Sequence, residues 1–367
     1  MTQRVPSRVA GRGAAGGAVR AVGGAAGRGE RHSAPAPRSV EPLLPIRLLA
    51  LDLDGTLIDD DLVLPDRTRS AIVAAVARGV SVSIATGRMA RSALKYARQL
   101  GLTDPIVAYQ GALIRAMPTT DDGRVGRLLV HRPLAAAVTR EAIEWTRSIG
   151  LDPHLNHLER FIIRAADARA EDYSAFLGGR AVLVDDLLAW VTRPISKVIA
   201  VSVEPMDEST LRLARERFAG RADVTISHPR FLEFLAPGVS KGAAVRWLAR
   251  RASVPLGAVL AIGDQFNDLE MLATVGHGAA MPDAPLPVRA AARYIAPPLG
   301  EDGAAQLIEQ LVLAGPEAAR RAVERLAEAA RRNRAAADLS AGVASTTADG
   351  SIEAGAAPTA DRMPAPA

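Results

Sequence analysis

Two aspartates separated by one residue, Asp52 and Asp54, form the most specific chemical pattern in the sequence. They follow a nearly continuous apolar run that begins at Ile46, and such a run is typical of a strand buried on both faces of a parallel sheet. Gly55 comes next and allows the chain to turn at once. Because a carboxylate can be a covalent nucleophile for phosphoryl groups, the pattern favours Asp52 as nucleophile with Asp54 beside the leaving group. The alternative is an ordinary strand end followed by an Asp-Gly turn.

Two further segments at predicted strand or helix ends could bind an anion. In Ala85-Thr86-Gly87-Arg88, a hydroxyl and backbone N–H groups precede a helix and could cradle phosphate, although such turns are more often only structural. In Ser240-Lys241-Gly242, the lysine opens a predicted helix, where a cation is mildly unfavourable unless something such as phosphate balances it. The alternative for Lys241 is a surface lysine.

A fourth segment, Gly263–Asp268, places acids at a strand end and in the first turn of a helix. Asp264 could coordinate a hard cation, and Asn267 and Asp268 could hold phosphate, Lys241 or a metal-bound water. An N-capping aspartate would explain one of these acids but not the whole set.

The four segments are predicted to meet at one site, because open α/β sheets gather ligands at the carboxyl ends of their strands. Asp52, the backbone carbonyl of Asp54 and Asp264 offer oxygen ligands of the kind that Mg²⁺ prefers. Thr86 and Lys241 could offset the charge on a transferring phosphoryl group.

The elements around these segments alternate between strands and helices, which predicts an open parallel sheet with helices on both faces. From about Arg115 to Ala236 the strand-like pieces are adjacent, which predicts a separate antiparallel sheet with helices on one face. The sequence therefore predicts a discontinuous core interrupted by an inserted domain. The predicted ranges are a disordered basic tail (1–43), the first part of the core (44–114), the inserted domain (115–236), the second part of the core (237–315), a charged surface helix (316–337) and a second disordered tail (338–367).

Charge and composition narrow the class of protein. The formal net charge is +5, but residues 1–47 carry a net +6 and the remainder a net −1, so the folded part gives no support to a nucleic-acid partner. The chain lacks cysteine, which excludes disulfides and thiolate chemistry and is compatible with a cytoplasmic enzyme. No apolar run is long enough for a transmembrane helix. The oligomeric state stays open.

The motifs DLDGT, ATGR, SKG and GDxxND, in this order, resemble the haloacid dehalogenase (HAD) superfamily, subfamily IIB, Cof-type phosphatases, over about residues 46–313. The resemblance implies an α/β fold with a Rossmann-like parallel-sheet core and an inserted α+β cap domain, located between the second and third motifs. It also implies a Mg²⁺-dependent phosphatase that hydrolyses small-molecule phosphomonoesters, such as sugar phosphates or related metabolites, through an aspartyl phosphate.

The resemblance assigns roles to individual positions. It makes Asp52 the nucleophile and Asp54 the general acid and base. It also implies three groups of binding and supporting positions. The phosphate- or substrate-binding positions are Leu53, Thr86, Gly87, Lys241 and Asn267. The metal-binding positions are Asp52, Asp54 and Asp264, and the supporting positions are Gly55, Thr56, Arg88 and Asp268.

Two departures from the family pattern leave substrate choice open: Gln110-Gly111-Ala112 where Asn-Gly-Ala is frequent, and Ala280–Ala284 (AMPDA) where Ala-Met-Gly-Asn-Ala is frequent. The motifs are also shared by phosphomutases and phosphotransferases such as phosphomannomutase-like enzymes, which remain the alternative function. A non-catalytic protein on the same fold is disfavoured because every motif residue is present.

The histidines suggest a weaker candidate site. His154 and His157, with His131, could be considered as zinc ligands, but the favoured interpretation is a polar loop of the cap that could touch substrate. The tryptophans at 145, 190 and 247 are predicted to be packing residues.

Overall fold

The computed structural model describes residues 44–165 and 181–347, with side chains described to residue 333, so most of both predicted tails lies outside the described residues. The strands in chain order are β1 (Leu48–Leu51), β2 (Ser81–Ile84), β3 (Ile106–Ala108), β4 (Leu113–Arg115), β5 (Leu128–His131), β6 (Asp152–His157), β7 (Arg160–Arg164), β8 (Ala181–Val184), β9 (Lys197–Val201), β10 (Asp223–His228), β11 (Phe231–Leu235), β12 (Val259–Gly263), β13 (His277–Ala280) and β14 (Tyr294–Ile295).

The α helices within these ranges are α1 (Asp66–Ala77), α2 (Ala90–Gln99), α3 (Ala136–Ser148), α4 (Glu208–Arg217), α5 (Lys241–Arg251), α6 (Leu269–Thr274), α7 (Leu286–Ala291), α8 (Gly303–Ile308) and α9 (Pro316–Thr347). Among the described helices, none is both long and apolar enough to cross a membrane.

The core sheet contains five parallel strands in the order β14-β13-β12-β1-β2. β1 lies between β12 and β2, with Leu51 opposite Ile262 on one side and Ile84 on the other. All four residues of β1 are buried, which explains why its sequence is continuously apolar. The predicted α/β fold with a parallel core is confirmed.

β3 is connected to the core sheet by a single parallel bridge between Ala85 and Val107 and then forms a separate antiparallel sheet with β4 and β5. The sequence places β5 in the 115–236 insertion, but the structure pairs it with β4. Leu129 and Val130 of β5 also pack against apolar side chains of the core. We therefore propose that the inserted domain begins after this hairpin and not at 115.

The inserted domain is built on a six-stranded sheet, here called the cap sheet, with the order β10-β11-β9-β6-β7-β8. Its pairs are antiparallel except β7 with β8, which is parallel, so the predicted antiparallel pairing is wrong for that edge. α3 and α4 pack on one face, as predicted. The opposite face carries apolar residues such as Phe161 and Ile199, which pack against Met89 and Tyr109 of the core. The cap sheet therefore covers the end of the core where the motifs lie.

The final helix, α9, differs from its prediction in two ways. It continues through Thr347, so residues 338–347 are helical and do not belong to a tail. It also does not trail off the domain, since Ala322 and Val323 are buried in the main core cluster and Leu326 packs beside them. These residues form a narrow apolar stripe within a sequence whose other faces are charged.

Candidate active site

The four motifs meet at the carboxyl end of the core sheet. Asp52 directly follows β1, Asp264 directly follows β12, and Thr86 comes two residues after β2. Because these strands are parallel neighbours, their ends lie side by side. The assembly predicted from the sequence is therefore present in the structure.

Gly55 makes the turn after Asp54 possible for two reasons. Its φ is +72°, a backbone conformation that residues with a Cβ rarely adopt. A Cβ at this position would also lie 2.5 Å from Oδ2 of Asp264. The next residue, Thr56, donates its hydroxyl to Oδ1 of Asp264 at 3.2 Å. The turn thus brings the first motif against the fourth.

Leu53 lies in the same turn but contributes little to the site through its side chain. That side chain is fully buried in the apolar core. Its carbonyl accepts hydrogen bonds from the backbone N–H groups of Thr56, Leu57 and Ile58. A contact between Leu53 and phosphate is therefore restricted to its backbone N–H.

Lys241 is fully buried and is not a surface lysine. Ser240 caps α5 by accepting the N–H of Ala243, which fixes the helix start and the position of the lysine. The Lys241 Nζ lies 2.7 Å from Oδ1 of Asp52 and 2.6 Å from Oδ1 of Asp268. Burial alone would lower the pKa of Lys241, but these two carboxylates raise it above its ordinary value.

Both carboxylate oxygens of Asp268 already have partners, Oδ1 in Lys241 and Oδ2 in the backbone. Its Oδ2 accepts the N–H groups of Asp264 at 3.0 Å and of Gln265 at 3.1 Å. A Cβ at Gly263 would lie 2.4 Å from Cγ of Asp268, so glycine is required at the end of β12. Asp268 therefore shapes the loop and anchors the lysine, which leaves Asp52 and Asp264 as the carboxylates available to a cation.

The donor set fits a hard divalent cation. Carboxylate oxygens of Asp52, Asp264 and Asp268 lie within 4.8 Å of one another. Burial and the charge of Asp268 raise the pKa of Asp52 well above its ordinary value, although Lys241 opposes the shift. The same two causes raise the pKa of Asp264 to about 7. Burial and neighbouring negative charge thus both disfavour the ionised carboxylates, and a bound cation would favour them.

The second motif binds the first through Arg88. The Arg88 Nε lies 2.8 Å from Oδ2 and 3.0 Å from Oδ1 of Asp54, and its Nη2 also contacts Oδ1. Arg88 is 3% exposed, whereas the Asp54 side chain is 33% exposed. The Asp54 carboxylate is thus held by Arg88, and part of it stays open to solvent. A leaving group or water can reach this open part of the carboxylate.

Thr86 is fully buried, and its Oγ1 accepts the backbone N–H of Arg88 at 3.1 Å. Its own N–H donates to the carbonyl of Val107. These bonds hold the ATGR turn beside the first motif. A Cβ on Gly87 would lie 2.4 Å from Nε2 of Gln110, so this turn also needs glycine for a close approach.

Three candidate functional residues were not predicted from the sequence: Gln110 as a hydrogen-bond partner, and Lys197 and Glu233 on the cap sheet. Nε2 of Gln110 donates to Oε2 of Glu233, and Oε1 of Gln110 accepts from Nδ2 of Asn267. Nζ of Lys197 donates to Oε1 of Glu233 and to the carbonyl of Gly87. A glutamate in the middle of the apolar segment FLEFL was the available signal, since charge is rare inside a buried strand.

The sequence suggested that the histidine segment is a loop, but this segment forms strand β6. His154 is fully buried and contacts Asp152, while His157 bonds the carbonyl of Pro194. His131 bonds Ser196. Within the described parts of the chain, no metal-binding group contains histidine, so zinc gains no support.

The tryptophans pack as predicted. Trp145 makes edge-to-face contacts with Phe218 and Phe234 in the cap. Trp190 lies against the same apolar cluster, and Trp247 lies against the core.

Comparison with known proteins identifies relatives that match most of this chain. Residues 49–308 match the family model of the haloacid dehalogenase-like hydrolases. An HMP-PP phosphatase from Serratia proteamaculans is 31% identical over 65% of this chain and 84% of its own length. A 5-amino-6-(5-phospho-D-ribitylamino)uracil phosphatase from Bacillus subtilis is 27% identical over 72% of this chain and 96% of its own length.

The fold agrees with a solved structure. A haloacid dehalogenase-like hydrolase from Bacteroides thetaiotaomicron is 26% identical and superposes with a TM-score of 0.60, covering 72% of this chain and 98% of that protein. The family predicted from the four motifs is confirmed: this chain belongs to the haloacid dehalogenase-like hydrolases.

Proposed function

We propose that this hydrolase removes phosphate from small phosphorylated metabolites, with Asp52 as nucleophile, Asp54 as general acid and base, and Mg²⁺ as cofactor. The family and the phosphatase names of its relatives support the reaction class. The observation that carries the proposal is the contact of the buried Asp52 carboxylate with the Lys241 ammonium at 2.7 Å, beside Asp264. A nucleophile placed between an ammonium and a cation site is suited to attack a dianionic phosphoryl group.

The proposed reaction has two steps. In the first, a carboxylate oxygen of Asp52 forms a bond to phosphorus, the ester P–O bond breaks, and Asp54 gives its proton to the leaving oxygen. In the second, a water oxygen attacks phosphorus, Asp54 takes the proton, and the bond between phosphorus and Asp52 breaks to release phosphate. The solvent-accessible edge of Asp54 supports this double role.

The surrounding groups would bind and neutralise the phosphoryl oxygens. Lys241 and Thr86 would bind these oxygens through their side chains, and Leu53 and Gly87 would contribute backbone N–H groups. When bound by Asp52, Asp264 and the backbone carbonyl of Asp54, Mg²⁺ would supply positive charge to the same oxygens.

A phosphate-release assay over a panel of phosphorylated metabolites tests the proposal. The panel should include sugar phosphates and the two substrates named for the relatives, HMP-PP and 5-amino-6-(5-phospho-D-ribitylamino)uracil. We expect Mg²⁺-dependent phosphate release without any sugar bisphosphate activator, and none from the Asp52→Asn variant. Transfer of phosphate between sugar positions without release would instead support a mutase. A cytoplasmic location and the absence of a nucleic-acid partner stay predictions from composition.

A further inference from the structure

A chain of hydrogen bonds runs from the cap sheet into the active site. Lys197 and Glu233, both on the core-facing side of the cap sheet, form an ion pair with an Nζ–Oε1 distance of 2.6 Å. Oε2 of Glu233 accepts from Nε2 of Gln110 at 2.9 Å, and Oε1 of Gln110 accepts from Nδ2 of Asn267 at 3.0 Å. This chain of hydrogen bonds consists of side chains, and Lys197 also donates to the backbone carbonyl of Gly87.

Stability does not explain this chain. Lys197, Glu233 and Gln110 are each 1% exposed, on a face otherwise lined by apolar residues such as Phe161 and Ile199. Removing a lysine and a glutamate from water costs about as much as their attraction returns, so apolar residues of the same volume would be at least as stable. The ion pair therefore calls for a role other than stability.

The donors and acceptors in this chain of hydrogen bonds have a fixed direction. Lysine only donates and an ionised glutamate only accepts, so Glu233 must face the NH₂ group of Gln110. The carbonyl oxygen of Gln110 then faces Asn267 and requires its NH₂ group. The other end of this amide, Oδ1 of Asn267, is buried without a hydrogen-bond partner among the described residues. An unpaired buried acceptor is costly, so it needs a donor from a bound molecule.

We propose that Glu233 and Lys197 act through Gln110 as positioning residues, which turn the amide of Asn267 so that the covered site presents an acceptor. The inference rests on the proposed function only for the identity of the ligand, a phosphate ester. Oδ1 of Asn267 can then accept from a water molecule but cannot bind an oxygen of a phosphate dianion directly, because both are acceptors. Contact between Asn267 and phosphate would run through that water.

The Glu233→Gln variant should invert the chain. Lys197 donates only, so the new glutamine keeps its carbonyl toward Lys197 and turns its NH₂ toward Gln110. Gln110 must then turn its own carbonyl to this NH₂ and its NH₂ to Asn267. Asn267 consequently presents NH₂ to the site, although no residue of the catalytic motifs has changed. Ser227→Ala is the matched control, because it removes a hydrogen bond to Glu233 but leaves Glu233 an acceptor.

Side-chain amide NMR measures this orientation directly. The chain has three asparagines, Asn156, Asn267 and Asn333, so ¹⁵N-asparagine labelling gives three NH₂ groups, and Asn267→Asp identifies the signal of interest. In the wild type and in Ser227→Ala, we expect one Asn267 amide proton to be protected from solvent exchange by Gln110. In Glu233→Gln we expect that protection to be lost and the signal to shift. An unchanged Asn267 signal would overturn the proposal.

Binding and turnover add a second readout. With a donor at Asn267, Glu233→Gln should bind sulfate, a dianion that carries no hydroxyl and therefore only accepts, about threefold to tenfold more tightly, the effect of one hydrogen bond, while its kcat falls. Equal or weaker sulfate binding in this variant would contradict the inverted polarity. If Glu233→Gln does not fold, the wild type still decides, because two rapidly exchanging Asn267 amide protons would refute the hydrogen bond to Gln110. If the protein releases no phosphate from any ester, the proposed function is refuted, and the NMR result still decides the inference.

Discussion

Without metal, the protein should lose stability as the pH rises from about 4 to about 8, and Mg²⁺ should restore it. The pKa of Asp264 is about 7 in the folded protein, because burial and the charge of Asp268 oppose its ionisation. Between its ordinary pKa of 3.8 and this value, the folded protein retains a proton that the unfolded chain has released. The associated stabilisation is therefore complete below the ordinary pKa and is lost as the pH rises through 7.

The size of this loss follows from the shift. A change from 3.8 to about 7 corresponds to roughly 4 kcal/mol at about 1.4 kcal/mol for each unit of pKa. Asp264 retains partial solvent access, and solvent screening reduces such effects, so we expect roughly 2 kcal/mol. The pKa of Asp52 shifts in the same direction and adds to the slope.

Urea denaturation in EDTA, repeated across this pH range, measures the effect. The control is Asp264→Asn, which has a similar shape but cannot titrate, so the difference in unfolding free energy between wild type and variant isolates this carboxyl group. That difference should fall by roughly 2 kcal/mol with rising pH. Saturating Mg²⁺ should remove the fall, because it binds the ionised carboxylates. A difference that stays flat or increases in EDTA would refute the reasoning.

Three further predictions concern single substitutions. Lys241→Met should lower the unfolding free energy by about 3–5 kcal/mol in urea titrations, because it leaves two buried carboxylates without their cation. Gly55→Ala should weaken Mg²⁺ binding, measured by calorimetry, because the new Cβ would meet Asp264. Gly101→Ala is the control: Gly101 has a similar φ of +64°, but a Cβ there would have no atom within 4 Å, so this substitution should cost only backbone strain. Asp54→Asn should lower kcat for sugar phosphates about 10²–10⁴-fold and slow phosphoryl transfer from p-nitrophenyl phosphate less, since that leaving group needs little protonation; rapid-quench kinetics with equal losses for both would contradict its role as acid.

The catalytic motifs could be located from the sequence because their signals are local. An apolar run that ends in Asp52, and a second that ends in Asp264, place both acids by the rule that parallel strands share one edge. The start of α5 at Lys241 follows from a capping serine directly before it. No long-range information is needed for these assignments.

The cap and the final helix depended on pairings that the sequence does not specify. β5 has a strand-like sequence, but only its partner decides whether it belongs to the core or the insertion. The burial of Lys197 and Glu233 depends on which face of the cap sheet meets the core. The sequence predicts α9 as a charged surface helix because its buried apolar stripe is narrow. Its contact with the core depends on a complementary apolar surface elsewhere in the chain.

Rapid-quench trapping of a phosphoenzyme tests the central claim most directly. The Asp54→Asn variant keeps the nucleophile Asp52 but lacks the base for the second step, so a reaction with p-nitrophenyl phosphate and Mg²⁺ should accumulate a covalent phosphoryl group above the wild-type level. Peptide mapping after acid quench should locate that group on Asp52, and Asp52→Asn should show none. A variant that binds Mg²⁺ but forms no phosphoenzyme, or carries the phosphoryl group on another residue, would contradict the account.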